Sequence, residues 1–129
     1  MSKLNWWKTS SIVFLLCAAT PVGGRAQTLT TLFNFDGTPG ANPSAGLIQA
    51  TDGNLYGTTA SGGGGLCYYG CGTAFKMTPS GTLTTLYSFC SEYDCGDGEG
   101  PLTGLVQATN GNFYGTTYGA PRTTARFSS

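Results

Sequence analysis

The sequence predicts an all-β fold, with antiparallel four-stranded blade repeats forming an incomplete, β-propeller-like fragment. Three observations predict it. The chain has 129 residues with 21 Gly and 9% charged residues, against about a quarter charged in an average globular protein. Its Thr and scattered aromatics suit pleated strands. Long segments recur at a spacing close to blade length, and tight-turn residues sit between short apolar runs.

Residues 1–26 read as a signal peptide. Lys3 and Lys8 give a positive start, residues 11–19 form a short apolar core, and Pro21, Gly23 and Gly24 break any helix. Gly24-Arg25-Ala26 offers a small–x–small cleavage site before Gln27, the layout of an export signal. The apolar run is shorter than the ~20 residues that span a bilayer. A lipid anchor on Cys17 is disfavoured, because the large Leu16 precedes it. After cleavage, Lys76, Arg122 and Arg126 stand against six acids, a net charge of −3, and Cys67, Cys71, Cys90 and Cys95 remain.

Residues 27–120 read as the β-repeat region, about one and a half blades. Thr28–Phe35 returns as Thr82–Phe89, and Gly46–Thr59 returns as Gly104–Thr117. The second pair differs only at Ile48/Val106, Asp52/Asn110 and Leu55/Phe113. Strands are expected at 46–51, 54–59, 73–78 and 82–89. Asp52-Gly53 and Asn110-Gly111 predict two-residue hairpin loops with φ > 0 at both central positions. That register pairs Ile48 with Gly57 and Gln49 with Tyr56, so Ile48, Ala50 and Leu55 share one face and Leu47 and Tyr56 the other. Apolar residues on both faces imply a sheet covered on both sides. Pro79-Ser80-Gly81 predicts a three-residue hairpin loop with Gly81 left-handed. Phe75 and Met77 then share one face of their strand, and Leu83, Tyr87 and Phe89 one face of the next. Residues 121–129 are an atypical basic tail without a Gly-Thr-x-Phe-Lys counterpart. A truncated array is preferred to a natural cap, since such arrays need about three repeats.

In Gly46–Thr59, in 70–81, in Thr82–Phe89 and in Gly104–Thr117, the chain resembles the GloVer (Gloeo/Verruco) tandem repeat family. The resemblance covers nearly all of residues 28–119. It implies an exported bacterial repeat protein, often with a C-terminal surface-anchoring segment, and supplies no catalytic residues to carry over. No such segment is seen after residue 117.

Cys67/Cys71 and Cys90/Cys95 are two close pairs whose spacing is compatible with zinc, but an exported chain favours disulfides. Three connectivities are open. Glu92, Asp94, Asp97 and Glu99 invite calcium, yet their spacing does not follow a calcium loop, so a solvated loop is expected. Gly62–Gly65 lacks the Lys-Ser/Thr ending of a phosphate loop and reads as a connector. Among the seven tyrosines, Tyr68 and Tyr69 fall in a loop and are the better candidates for ligand contact.

The composition has no His, which removes His-based triads and metal sites. The lack of positive charge disfavours nucleic acid as a partner. The expected function is that of an exported non-catalytic repeat protein with a binding or structural role, secreted, at the cell surface or in the periplasm. It needs no cofactor and no metal. Its partners are an unknown extracellular ligand, further repeats, or a second copy through an uncovered blade face. The alternative is a fragment of an exported propeller-type enzyme acting on glycans or lactones.

Overall fold

Short strands rich in Thr and aromatics, punctuated by Gly, give two antiparallel sheets in the computed structural model, which describes residues 27–119 and the backbone of 124–127. The first sheet has the order β1 (Ile48–Gln49), β2 (Leu55–Thr59), β3 (Thr73–Met77) and β4 (Leu83–Ser88). The second has β5 (Val106–Gln107), β6 (Phe113–Thr116) and β7 (Thr124–Phe127). The only helical element among the described residues is one 3-10 turn, Tyr93–Cys95. The export signal expected in residues 1–26 lies outside the described residues, and none of the described helical structure is long and apolar enough to cross a membrane.

All four strands expected in the first repeat are present, but the β1–β2 register is one residue away from the expected one. Ile48 pairs with Tyr56 and Gln49 with Leu55. The Ala50 N–H donates to the Asn54 carbonyl and the Gly53 N–H to the Ala50 carbonyl. The loop therefore holds three residues, and Gly53 alone takes a positive φ, of 80°. This is a type I turn closed by a left-handed glycine. The β5–β6 turn repeats it with Gly111 at φ 83°. A one-residue slip exchanges the faces of a strand relative to its partner. Ile48, Ala50 and Tyr56 consequently share one face, while Leu47, Leu55 and Gly57 share the other.

The β3–β4 loop is as expected, with Gly81 at φ 93° and its N–H donating to the Thr78 carbonyl. Further along, β4 carries an extra residue. Phe75 pairs with Thr85, but Ala74 pairs with Tyr87. Leu86 forms this bulge, which turns Tyr87 and Phe89 to the face opposite Leu83. Leu83 stays with Phe75 and Met77, whereas Tyr87 and Phe89 join Ala74 in a separate buried cluster with Cys71 and Cys90. The expected alternation of Leu83, Tyr87 and Phe89 on one face is thereby corrected.

Both faces of the first sheet are covered. On one, Ala50 and Tyr56 pack with Leu105 and Phe113 of the second sheet, with Ile48 beside them. The Tyr56 and Phe113 rings stack at 4.1 Å and 23°. On the other, residues 33–40 lie across the strands. Phe35 packs on Phe75 at 5.2 Å, and the Pro39 carbonyl accepts from the Thr73 hydroxyl at 2.9 Å. Thr59 and Thr73 are fully buried under this segment, and the Thr73 N–H donates to Thr59 Oγ1 at 3.0 Å. Their hydroxyls are paired, as buried polar groups must be.

The tail from 124 forms a strand that the sequence pattern does not announce. Phe127 pairs with Phe113, Arg126 with Tyr114 and Ala125 with Gly115. Met77, Lys76 and Phe75 make the same pairings with Leu55, Tyr56 and Gly57 in the first sheet. Arg126 thus holds the register position of Lys76.

Two glycines separate conformational need from space. Gly53 (φ 80°) has open space around an added Cβ, whereas at Gly72 (φ 94°) the Cβ would collide with the Thr59 carbonyl and come within 2.7 Å of Pro101. Gly53→Ala should cost about 1–2 kcal/mol from the left-handed backbone alone. Gly72→Ala should add about 1–3 kcal/mol of overpacking to the same term. Denaturant unfolding of both variants checks this, and equal losses would refute the close approach at Gly72.

Candidate functional site

The strand connections divide the molecule into two ends. One carries the tight turns 51–53, 79–81 and 109–111. The other carries the long loops 60–72 and 89–101 together with residues 117–119. The first long loop is held open by left-handed glycines, among them Gly62, Gly63 and Gly70. The Gly62 N–H donates to the Tyr69 carbonyl and the Gly70 N–H to the Cys67 carbonyl. The second loop enters through Cys90, makes the Tyr93–Cys95 turn and returns through Gly98 and Gly100. Backbone bonds join the two loops. The Leu66 N–H donates to Cys90, the Gly100 N–H to Cys71 and the Tyr118 N–H to Glu99.

The structure pairs Cys67 with Cys71 and Cys90 with Cys95, which selects one of the three open connectivities. Each bridge closes a short local loop, so each is worth about 2 kcal/mol. The four sulfurs and a Glu99 carboxylate oxygen nevertheless lie within 4.8 Å of one another. The sequence leaves the pairing open and does not place the two pairs together, because that proximity depends on Cys71 and Cys90 both entering the cluster under Phe89.

The acids do not converge as a calcium site would require. Asp97 is occupied as a staple, accepting from the Tyr87 hydroxyl (2.6 Å), the Ser91 hydroxyl (2.9 Å), the Ser91 N–H (3.0 Å) and the Glu92 N–H (3.3 Å). Burial pushes its pKa up, but these donors outweigh burial and hold it at about 2. Burial first, and then donation to Asp97, raises the Tyr87 pKa. Glu92 and Asp94 are exposed, and Glu99 faces the cysteines. Gly62–Gly65 connects strands with no helix following it.

The loops of this knot also carry exposed apolar and aromatic side chains. Tyr68 and Tyr69 are 92% and 80% exposed and meet edge to face at 4.7 Å. Tyr93 and Tyr118, which the sequence reading did not single out, are equally exposed, and Leu66 of the first long loop is exposed too. Their loop positions beside Cys95 and Thr117 were the available signal. A rigid ring with a polar tip, fixed at its base by bridged loops, offers contact area at little entropic cost. The crevice between the sheets, lined by Thr58, Phe89, Pro101 and Leu105 among others, is a packing seam.

At the turn end, Asp52 accepts from the Asn54 side chain (2.8 Å), the Asn54 N–H (3.0 Å) and the Tyr56 hydroxyl (2.8 Å), and pairs with Lys76 at 3.2 Å. The Asn54 side chain leads the donors that hold its carboxyl well below the usual range. Lys76 is raised chiefly by Asp52, and Tyr56 by burial and then Asp52. Asn110 stands at the equivalent turn of the second repeat, so the charge is not needed to form the turn.

A family model described as the Gloeobacter/Verrucomicrobia repeat matches residues 16–125. No curated protein and no solved structure matches the chain.

The depressed Asp52 pKa has a definite pH consequence. Its contribution to stability is fully present above the unfolded value of about 3.9 and is lost as pH falls through the lowered folded value. Asp52→Asn should therefore lower Tm at pH 7, and the gap to wild type should close as pH drops below about 4. Melts of both proteins across that range decide it, and a gap independent of pH would mean the charge has no role.

Proposed function

The chain belongs to the Gloeobacter/Verrucomicrobia repeat family, and on that premise we propose that it is an exported, non-catalytic repeat module whose sheets stack in the manner of propeller blades and whose bridged loop end binds a glycan at the cell exterior. One observation carries the architectural part. Tyr56 of the first repeat stacks on Phe113, and Phe113 occupies the position of Leu55 in the second. Equivalent hairpins thus pack through opposite faces. Such a heterologous contact is open at both ends and extends by adding the same unit again.

Further repeats or a second copy are the fitting partners for the outer face of the second sheet. Val106, at the position of Ile48, is 66% exposed there. Ile48 itself is covered by the packing of the next repeat, so Val106 marks where a following unit would sit.

Export is supported by the charge and apolar layout of residues 1–26 and by the two disulfides. The binding role is supported by the exposed tyrosines on a covalently stiffened base, since aromatic faces stack on sugar rings and their hydroxyls hydrogen-bond to them.

The test uses chain recovered from the culture medium or periplasm, where it should begin at Gln27. Isolated envelope polysaccharide should retain it. Tyr68→Ala combined with Tyr69→Ala should weaken retention by about tenfold, the equivalent of 1.4 kcal/mol. Leu29→Ala, exposed elsewhere, should leave retention unchanged. Equal retention of the tyrosine variant would remove the loop end as the site, and a cytoplasmic chain with Met1 intact would remove export.

A further inference from the structure

The convergence of four sulfurs is more than two local disulfides require. Each bridge is closed within its own loop, at sequence separations of 4 and 5, and neither ties one loop to the other. Yet the ligand atoms of Cys67, Cys71, Cys90, Cys95 and Glu99 are mutually within 4.8 Å. Sulfurs bound to one zinc at about 2.3 Å sit roughly 3.8 Å apart at the corners of a tetrahedron, and the usual spacing within each ligand pair is two to four residues. Cys-x₃-Cys and Cys-x₄-Cys fall in that range. Cys71 and Cys90 are buried, and Cys67 and Cys95 half-buried, so the centre is shielded from water. The Cys67 N–H lies 3.2 Å from Cys71 Sγ, the kind of amide donor that supports a metal-bound thiolate. Glu99 Oε2 lies 3.3 Å from Cys67 Sγ, with no cation paired to it among the described residues.

We propose that the reduced chain binds one zinc ion through the thiolates of Cys67, Cys71, Cys90 and Cys95, so that the metal links the two loops that the disulfides leave unlinked. Opening both bridges takes four electrons from a thiol or phosphine reductant, which is oxidised to its disulfide or phosphine oxide, and four protons that come from the thiol or, with the phosphine, from water. The ion then forms four Zn–S bonds as four thiol protons leave to solvent. The oxidised and metal-bound forms are two alternative closures of the same knot, and the proposal does not depend on the glycan reading.

The full chain, reduced with a phosphine under anaerobic conditions, is titrated with cobalt(II) and then zinc. One cobalt per chain should bind, with the thiolate charge-transfer and visible bands of a tetrahedral sulfur site, and zinc should bleach them. Alkylation mapped by peptide mass, with Cys17 scored apart, should show zinc protecting all four cysteines together. Cys71→Ser and Cys95→Ser, one from each loop, should each lose the one-to-one complex. Protection of a single pair, two ions per chain, an octahedral spectrum, or no binding would overturn the shared centre. The wild-type protection pattern requires no substitution and decides the matter even if a variant folds poorly.

Discussion

The stack of Tyr56 on Phe113 is the contact on which the arrangement of the two repeats depends. Neither sheet is large enough to hide an apolar face alone, since β1 and β5 have two residues each. Burial of each ring is worth about 1.5–3 kcal/mol, and the ring–ring geometry adds about 0.5–1.5 kcal/mol. Polar contacts frame the stack and set its register. Gln107 Oε1 accepts from the Thr51 N–H at 3.1 Å at the turn end, and the Thr58 hydroxyl donates to the Thr103 carbonyl at 3.2 Å at the other. With the sheets held in this way, Leu105 and Phe89 line one seam with Pro101 and Gly115, and the long loops are brought to one end.

The two ends are built by different means. At the turn end the backbone closes on itself in three residues, with one left-handed glycine at each loop and Asp52, Ser80 or Asn110 at the preceding position. At the loop end, short disulfides and inter-loop backbone bonds replace regular structure. The bulge at Leu86 connects the two regimes, because it turns Tyr87 and Phe89 to the face of Ala74, where they pack with Cys71 and Cys90.

The strands were legible in the sequence because alternation and turn residues are local signals. The first repeat shows its four strands within a residue or two, and the loop at Pro79-Ser80-Gly81 has the expected form. The register of β1 and β2 was not legible. Asp-Gly suits a two-residue loop as well as a three-residue one, and the choice depends on whether Asp52 itself must turn left-handed, which it does not. The bulge was also hidden, since Thr84, Thr85 and Leu86 read equally well either way. Strand β7 was missed because it keeps the pairing of β3 while sharing almost none of its residues. Of the candidate site, Tyr68, Tyr69 and the four cysteines were visible as loop residues, but the gathering of the cysteines with Glu99 is a product of chain separations that no local pattern records.

A double-mutant cycle on Tyr56→Ala and Phe113→Ala tests the central contact most directly, read by denaturant unfolding of the two single variants and the double. Each single substitution should be strongly destabilising, by about 3–5 kcal/mol for loss of a buried ring. Residues in direct contact should couple by at least about 0.5 kcal/mol, and sites that do not touch should add within about 0.3–0.5 kcal/mol. A double variant that loses clearly less than the two single losses combined is the result the account predicts. Simple additivity would contradict it, for it would mean that the first and second repeats do not rest on one another through these rings.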